Sequence, residues 1–211
     1  MDHEILLGKL SHYGFRGVAN DWLRSYLTNR KQYVQSNGMT SSLESITHSV
    51  PQGSNLGPLL FNFFINDFSN CTDFFKFLLF ADDSTISCKF LKQESGNVVD
   101  NVNTQLIHVY RWLHANKIMI NSNNTEYILY SCRGRTSFDA PIVIGNSVIQ
   151  QTDNVKFLGM FLDENLTFKE HVAHISCKIS RNLGILFRIR DYVPASVLRS
   201  LYFSFTHPYI S

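Results

Sequence analysis

The sequence predicts an α+β protein, with helices packed on antiparallel sheet. Segments 3–13, 18–27, 97–114 and 167–190 repeat apolar residues with a helical period. Short strand-like runs lie between them, punctuated by Asn-Gly, Gly and Pro, and these read as hairpins. The stretch 74–86, FFKFLLFADDSTI, is an apolar run, two adjacent carboxylates, then a second strand-like run. Mixed helices and hairpins of this kind suit an α+β layer architecture.

Segment 3–13 places Ile5, Leu6, Leu10 and Tyr13 at helical spacing, and Gly14 ends it. Segment 18–27 repeats the pattern with Val18, Trp22, Leu23 and Tyr26, so a packed helix pair is expected. Runs 32–36 and 43–48 flank Asn37-Gly38, a strong hairpin signal with room for a loop longer than the minimal turn. Segment 49–67, SVPQGSNLGPLLFNFFIND, opens as a loop shaped by Pro51, Gly53, Gly57 and Pro58. Pro58 suits the first turn of a helix whose core face is Leu59, Leu60, Phe63 and Phe64. Such a loop is either purely structural or a place where backbone amides hold an anion.

In 74–80 only Lys76 is polar, so this strand is expected to be buried on both faces. Asp82 and Asp83 then fall at the tip of a hairpin. They are either an ordinary Asp-rich turn or a Mg²⁺ site, since hard cations take oxygen ligands. Segment 97–114 is a longer helix with Val98, Val102, Leu106, Val109 and Leu113 on one side. Residues 126–130 and 141–149 are strand-like, with a turn containing Gly134 between them. Segment 155–162, VKFLGMFL, reads as one strand interrupted at Gly159 by a bulge or a close backbone approach.

Segment 167–190 is a long amphipathic helix with Val172, Ile175, Ile179, Leu183 and Leu186 in one sector. Lys178, Arg181 and Arg188 are expected on the opposite side, which is either a solvated face or one that follows a phosphate backbone. His171 and His174 read as surface residues, and Pro194 opens a last helix ending near Phe205.

Composition narrows the class. The chain has 211 residues, 44% of them hydrophobic, enough for a core and against disorder. Net charge is only +2, but residues 166–211 carry six Lys and Arg against two acids. The apolar runs are shorter than a membrane span, and no signal-peptide pattern opens the chain. Cys71, Cys88, Cys132 and Cys177 lack zinc spacing and read as reduced packing residues of an intracellular, non-secreted protein of nucleus or cytoplasm. On that reading the sequon-like triplets at Asn70, Asn123 and Asn165 have no role.

The order of the motifs says more than any one of them. VPQGSNLGPLLFNFFINDF, LFADDSTI, WLHANKIMINSNNTEYILY and VKFLGMFLDENLTFKEHV follow one another in the chain. Together they resemble the reverse transcriptases of non-LTR retrotransposons, the jockey-like group in particular. The first 34 residues also look like the segment that precedes the VPQGS loop in that family.

The resemblance implies a right-hand polymerase, with a palm over 1–162 and a thumb-like helical segment over 163–211. It implies Asp82 as a metal ligand with Asp83 beside it. Pro51, Gln52 and Gly53 match the loop against template and nucleotide, and Phe157, Leu158 and Gly159 match the primer grip. Implied partners are an RNA template, a DNA primer and dNTPs, with two Mg²⁺ ions as cofactor; no membrane partner is expected. Another catalytic aspartate and the fingers are expected upstream of the residues matching MDHEILL, so the fragment is expected to be inactive alone. Asn124 stands where the family usually has a lysine proposed to protonate the departing pyrophosphate, and Lys117 is nearby in sequence. The alternative is a non-catalytic nucleic-acid-binding remnant of a decayed element, or a fragment that does not fold alone.

Overall fold

The computed structural model describes residues 1–51, 53–90, 95–130 and 138–210. Gln52, Cys132 and the turn containing Gly134 lie outside them. The chain forms two compact units. One comprises Met1–Ser122 and Ala140–Val148, the other Asn123–Asp139 and Ile149–Ser211. Both mix helix with strand, as the α+β class requires.

In the first unit, α1 (His3–His12) starts at Asp2, whose carboxylate accepts from the amides of Glu4 and Ile5. That satisfies two of the donors every helix start leaves open. α1 buries Leu6, Leu7 and Leu10. α2 (Val18–Leu27) buries Leu23 and Leu27 rather than Val18 and Trp22, and Trp22 stays 57% exposed. α3 (Gly57–Ile65) has Pro58 in its first turn and buries Leu60, Phe64 and Ile65. Leu59, expected in the core, is exposed. Leu6, Leu7, Leu10, Leu23, Leu27, Leu60 and Phe64 form one apolar cluster.

Lys9 ties that cluster together. Its ammonium donates to the Phe64 carbonyl at 2.7 Å, pairs with Asp67, and stands over the rings of Phe64 and Trp112. Burial lowers its pKa, and Asp67 opposes that shift. α4 (Ser95–Ala115) buries Val98, Val102, Leu106, Val109 and Leu113, the five residues its period singled out. Asn103 of α4 donates to the Pro141 carbonyl and accepts from the Val143 amide. This clamps β8 (Ile142–Ile144), whose Ile142 and Ile144 are buried.

The hairpin at Asn37-Gly38 is tighter than expected. β2 (Gln35–Ser36) and β3 (Met39–Thr40) close with Ser36 opposite Met39, and both turn residues have positive φ. This is the two-residue turn that suits the twist of paired strands. Farther from the turn, β1 (Arg30–Gln32) pairs with β4 (Glu44–Ile46).

In the second unit, β7 (Glu126–Tyr127) lies parallel to Gln150 and Gln151 of β9 (Ser147–Gln151), whose first two residues belong to the first unit. β10 (Asn154–Phe157) and β11 (Met160–Asp163) form an antiparallel hairpin. Asp163 then accepts from the amides of Asn165, Thr167 and Phe168 and from the Thr167 hydroxyl, just before α5 (Lys169–Ile189). These bonds, the Thr167 amide first, hold its pKa below the usual carboxylate value. α6 (Ala195–Phe205) follows Pro194, and neither α5 nor α6 has a buried residue. Among the described residues, no helix is long and apolar enough to cross a membrane.

Candidate functional site

β5 (Lys76–Phe80) and β6 (Asp83–Ser87) pair in antiparallel register, with Phe80 opposite Asp83. The turn is therefore Ala81-Asp82, and Ala81 takes a φ of 50°. Asp82 and Asp83 sit at the tip, both exposed. Neither carboxylate has a hydrogen-bond or ion-pair partner among the described residues.

The strand that carries them is not buried on both faces. Phe77 and Leu79 are half-buried, whereas Leu78 is 52% and Phe80 62% exposed. The reason lies in the layering: one face of the β5–β6 ribbon packs on Phe68, while the face that carries Leu78 and Phe80 stays open to solvent. The packed face is anchored by aromatic contacts. Phe77 meets Phe68 edge-on at 5.0 Å, and Phe68 packs on Trp112 of α4 at 4.5 Å.

Two adjacent exposed carboxylates without partners among the described residues present the oxygen donors that a hard divalent cation takes. Mg²⁺ commonly takes one or two carboxylates and completes its shell with water and substrate phosphates. Among the described residues no group of three His, Cys, Asp or Glu side chains could hold a metal. Asp82 and Asp83 by themselves are thus a pair of carboxylates, fewer donors than such a group has.

The loop before α3 is built from several local bonds. Ser54 N–H donates to the Pro51 carbonyl, and Ser54 Oγ accepts from Gly57 N–H at 3.1 Å. The Gly57 amide is thus already used, which takes one donor away from the anion-holding alternative and favours the structural one. Gly53 has a φ of 77° in open space. The start of the loop is stitched to the N-terminal residues. Ser49 N–H donates to the Met1 carbonyl at 2.7 Å, and His3 Nε2 bonds to the Ser49 carbonyl at 2.6 Å. His48 pairs with Asp2 in an isolated antiparallel bridge.

Asp2 is only 9% exposed. Its Oδ1 caps α1, and its Oδ2 receives the Lys117 ammonium at 2.6 Å. The Lys117 bond first, then the Ile5 amide, hold its pKa at about 2, against the opposing effect of burial. Lys117 is committed here. Sequence reasoning missed this network; its one visible signal is an Asp immediately before a helical run.

The second unit holds the remaining candidates. Phe157, Leu158 and Gly159 do not form a bulged strand. Leu158 and Gly159 are the two turn residues of the β10–β11 hairpin, with φ of 45° and 89°. Glycine at the second turn position permits this reversal, which the near-continuous apolar run had hidden.

On α5 the packed side is centred differently from the apolar sector. Ile175, Ile179 and Leu186 of the expected sector are half-buried, but so are His171, His174, Lys178, Asn182 and Ile189, while Val172 and Leu183 are exposed. Lys178 therefore does not share the solvent face of Arg181 and Arg188. Its ammonium lies 5.2 Å from the Tyr209 ring centre. His171 and His174 are not surface residues either. His171 Nδ1 accepts weakly from the Phe161 amide at 3.4 Å, and the His174 ring meets Phe161 at 5.0 Å. Burial, then Lys178 and His171, lower the His174 pKa.

Residues 1–162 match the family described as reverse transcriptase (RNA-dependent DNA polymerase). That is more than half of the chain, and the chain belongs to this family. Its relatives include the probable RNA-directed DNA polymerase from transposon X-element of Drosophila melanogaster, 29% identical over 161 residues. The RNA-directed DNA polymerase from mobile element jockey of the same species is 27% identical over 163 residues. The matches cover 74% and 72% of this chain, and 17% of each relative. The retrovirus-related Pol polyprotein from type-1 retrotransposable element R1 of Bradysia coprophila is 27% identical over 80% of the chain and 16% of its own length. The chain thus spans about a sixth of the length of these relatives. No solved structure matches it.

Proposed function

We propose that this chain is the palm and the start of the thumb of an RNA-directed DNA polymerase from a non-LTR retrotransposon. The observation that carries this reading is the family match over 1–162, which contains the unpartnered Asp82-Asp83 pair at a hairpin tip. The palm then ends where the match ends, and 163–211 is thumb-like.

The reaction is attack of a primer 3′-hydroxyl on the α-phosphate of a dNTP, with pyrophosphate leaving. Asp82 and Asp83 would hold the metal, and Mg²⁺ when bound would supply charge stabilisation to the transfer. The protein's own task is positioning. Pro51, Gln52 and Gly53 lie against template and nucleotide, and Phe157, Leu158 and Gly159 against the primer. Arg181 and Arg188 present cations to the nucleic-acid backbone, with Lys178 adding its charge from beside Tyr209.

The test is dNTP incorporation on an RNA template by the polymerase carrying this segment. Asp82→Asn is expected to cut the rate by roughly 100-fold, the size of loss typical when one group stabilising developing charge is removed. An unchanged rate would remove Asp82 from the site.

A further inference from the structure

The turn that closes α4 carries a lysine where such a turn ordinarily carries glycine. Lys117 N–H donates to the His114 carbonyl and Ile118 N–H to the Leu113 carbonyl. These two bonds define the closing turn in which one residue is left-handed. That residue is Lys117, at a φ of 54°. L-residues are strained there and glycine is not. Strain of this kind persists only where the surroundings hold it. Here they do, because the Lys117 ammonium donates to Asp2 Oδ2 at 2.6 Å.

Asp2 is fixed from two directions, by the first amides of α1 and by Lys117. Its neighbours Met1 and His3 grip both backbone groups of Ser49. Ser49 is a second strained residue, with a φ of 75°. Two residues later the chain enters the Pro51–Gly53 loop. The end of α4 therefore reaches the start of that loop through one short, bonded path: Lys117, Asp2, then Met1 and His3, then Ser49.

We infer that Lys117 is a positioning residue for the loop that follows Ser49, acting through Asp2. The inference rests on the proposed role of that loop at template and nucleotide. Lys117 touches neither. It sets the backbone from which the loop departs.

The experiment combines amide hydrogen exchange on the 211-residue chain with nucleotide kinetics on the polymerase carrying it. Lys117→Gly relieves the helix end while removing the ammonium. Ile118 N–H should keep its protection or gain some, whereas Ser49 N–H should lose roughly tenfold. Lys117→Met should lose Ser49 protection equally, and Lys117→Arg should restore it. Asp2→Asn keeps the cap but removes the charge, and should resemble Lys117→Met. In the polymerase, the KM for dNTP should rise roughly tenfold in Lys117→Gly with a smaller change in kcat.

Unchanged Ser49 protection in both Lys117→Gly and Lys117→Met would overturn the inference, leaving Lys117 as a helix end only. Lost Ser49 protection with an unchanged KM would overturn its role in the reaction. Failure of the polymerase reading itself shows separately, as an Asp82→Asn enzyme that still extends primers, and leaves the exchange measurement untouched.

Discussion

The first three helices and the last two carry the same kind of apolar repeat and end in different environments. In α1, α2 and α3 the repeat delivers leucines and Phe64 into one cluster, with Phe64 at 0% exposure. In α5 and α6 no residue is buried, and Leu183 remains 45% exposed. A period of 3.6 states which residues share a face, not whether anything covers that face. The same contrast separates two sets of carboxylates. Asp2 is buried and bonded by the Glu4 and Ile5 amides and the Lys117 ammonium, whereas Asp82 and Asp83 stand exposed without partners among the described residues.

The sharpest way to break the comparison is paired truncation. Phe64→Ala should cost about 3–5 kcal/mol, because a fully buried ring leaves a cavity. Leu183→Ala should stay within about 0.5 kcal/mol, as expected of a surface site. Denaturant melts of the two variants check this, and equal losses would mean that α5 is as firmly packed as α3. Next in size is Asp83→Asn. We expect roughly a tenfold fall in primer extension, less than for Asp82→Asn, with an unchanged melting temperature. A variant that melts early would make the hairpin tip a structural element instead.

Asp2 gives the next effect, and its sign follows from its depressed pKa. The folded protein holds this carboxylate ionised to about pH 2, whereas the unfolded chain protonates near 3.8. Its stabilisation is therefore complete above about pH 4 and lost as pH falls toward 2. The Lys117 partner is 62% exposed, so solvent screening trims the contribution to about 1–2 kcal/mol. Acid titration of stability in Asp2→Asn should show a flatter limb in that window. The smallest effect concerns Arg181 and Arg188. Replacing both with Ala should lower the salt dependence of primer–template binding by about two phosphate contacts, and leave stability near that of the parent. An unchanged slope would return this face to solvent.

Much of the local structure is legible in the sequence, because local rules govern it. The bounds of α2, the core stripe of α4, the proline in the first turn of α3 and the hairpin that exposes Asp82 and Asp83 follow from period, turn chemistry and backbone preference. The sequence alone also determined the family, through motifs kept in order. Other features needed the tertiary structure. Residues 74–80 are apolar on both faces of the strand, and only the packing of the β5–β6 ribbon decided that one face is left open. Lys178 falls beside two arginines in sequence, and only the packing of α5 turned it toward Tyr209. Lys117 and Asp2 are 115 positions apart, and nothing local to either announces the other. A side chain's period is written in its neighbours along the chain. Its partner is set by which distant segment the fold brings within a few ångströms, where burial and charge act.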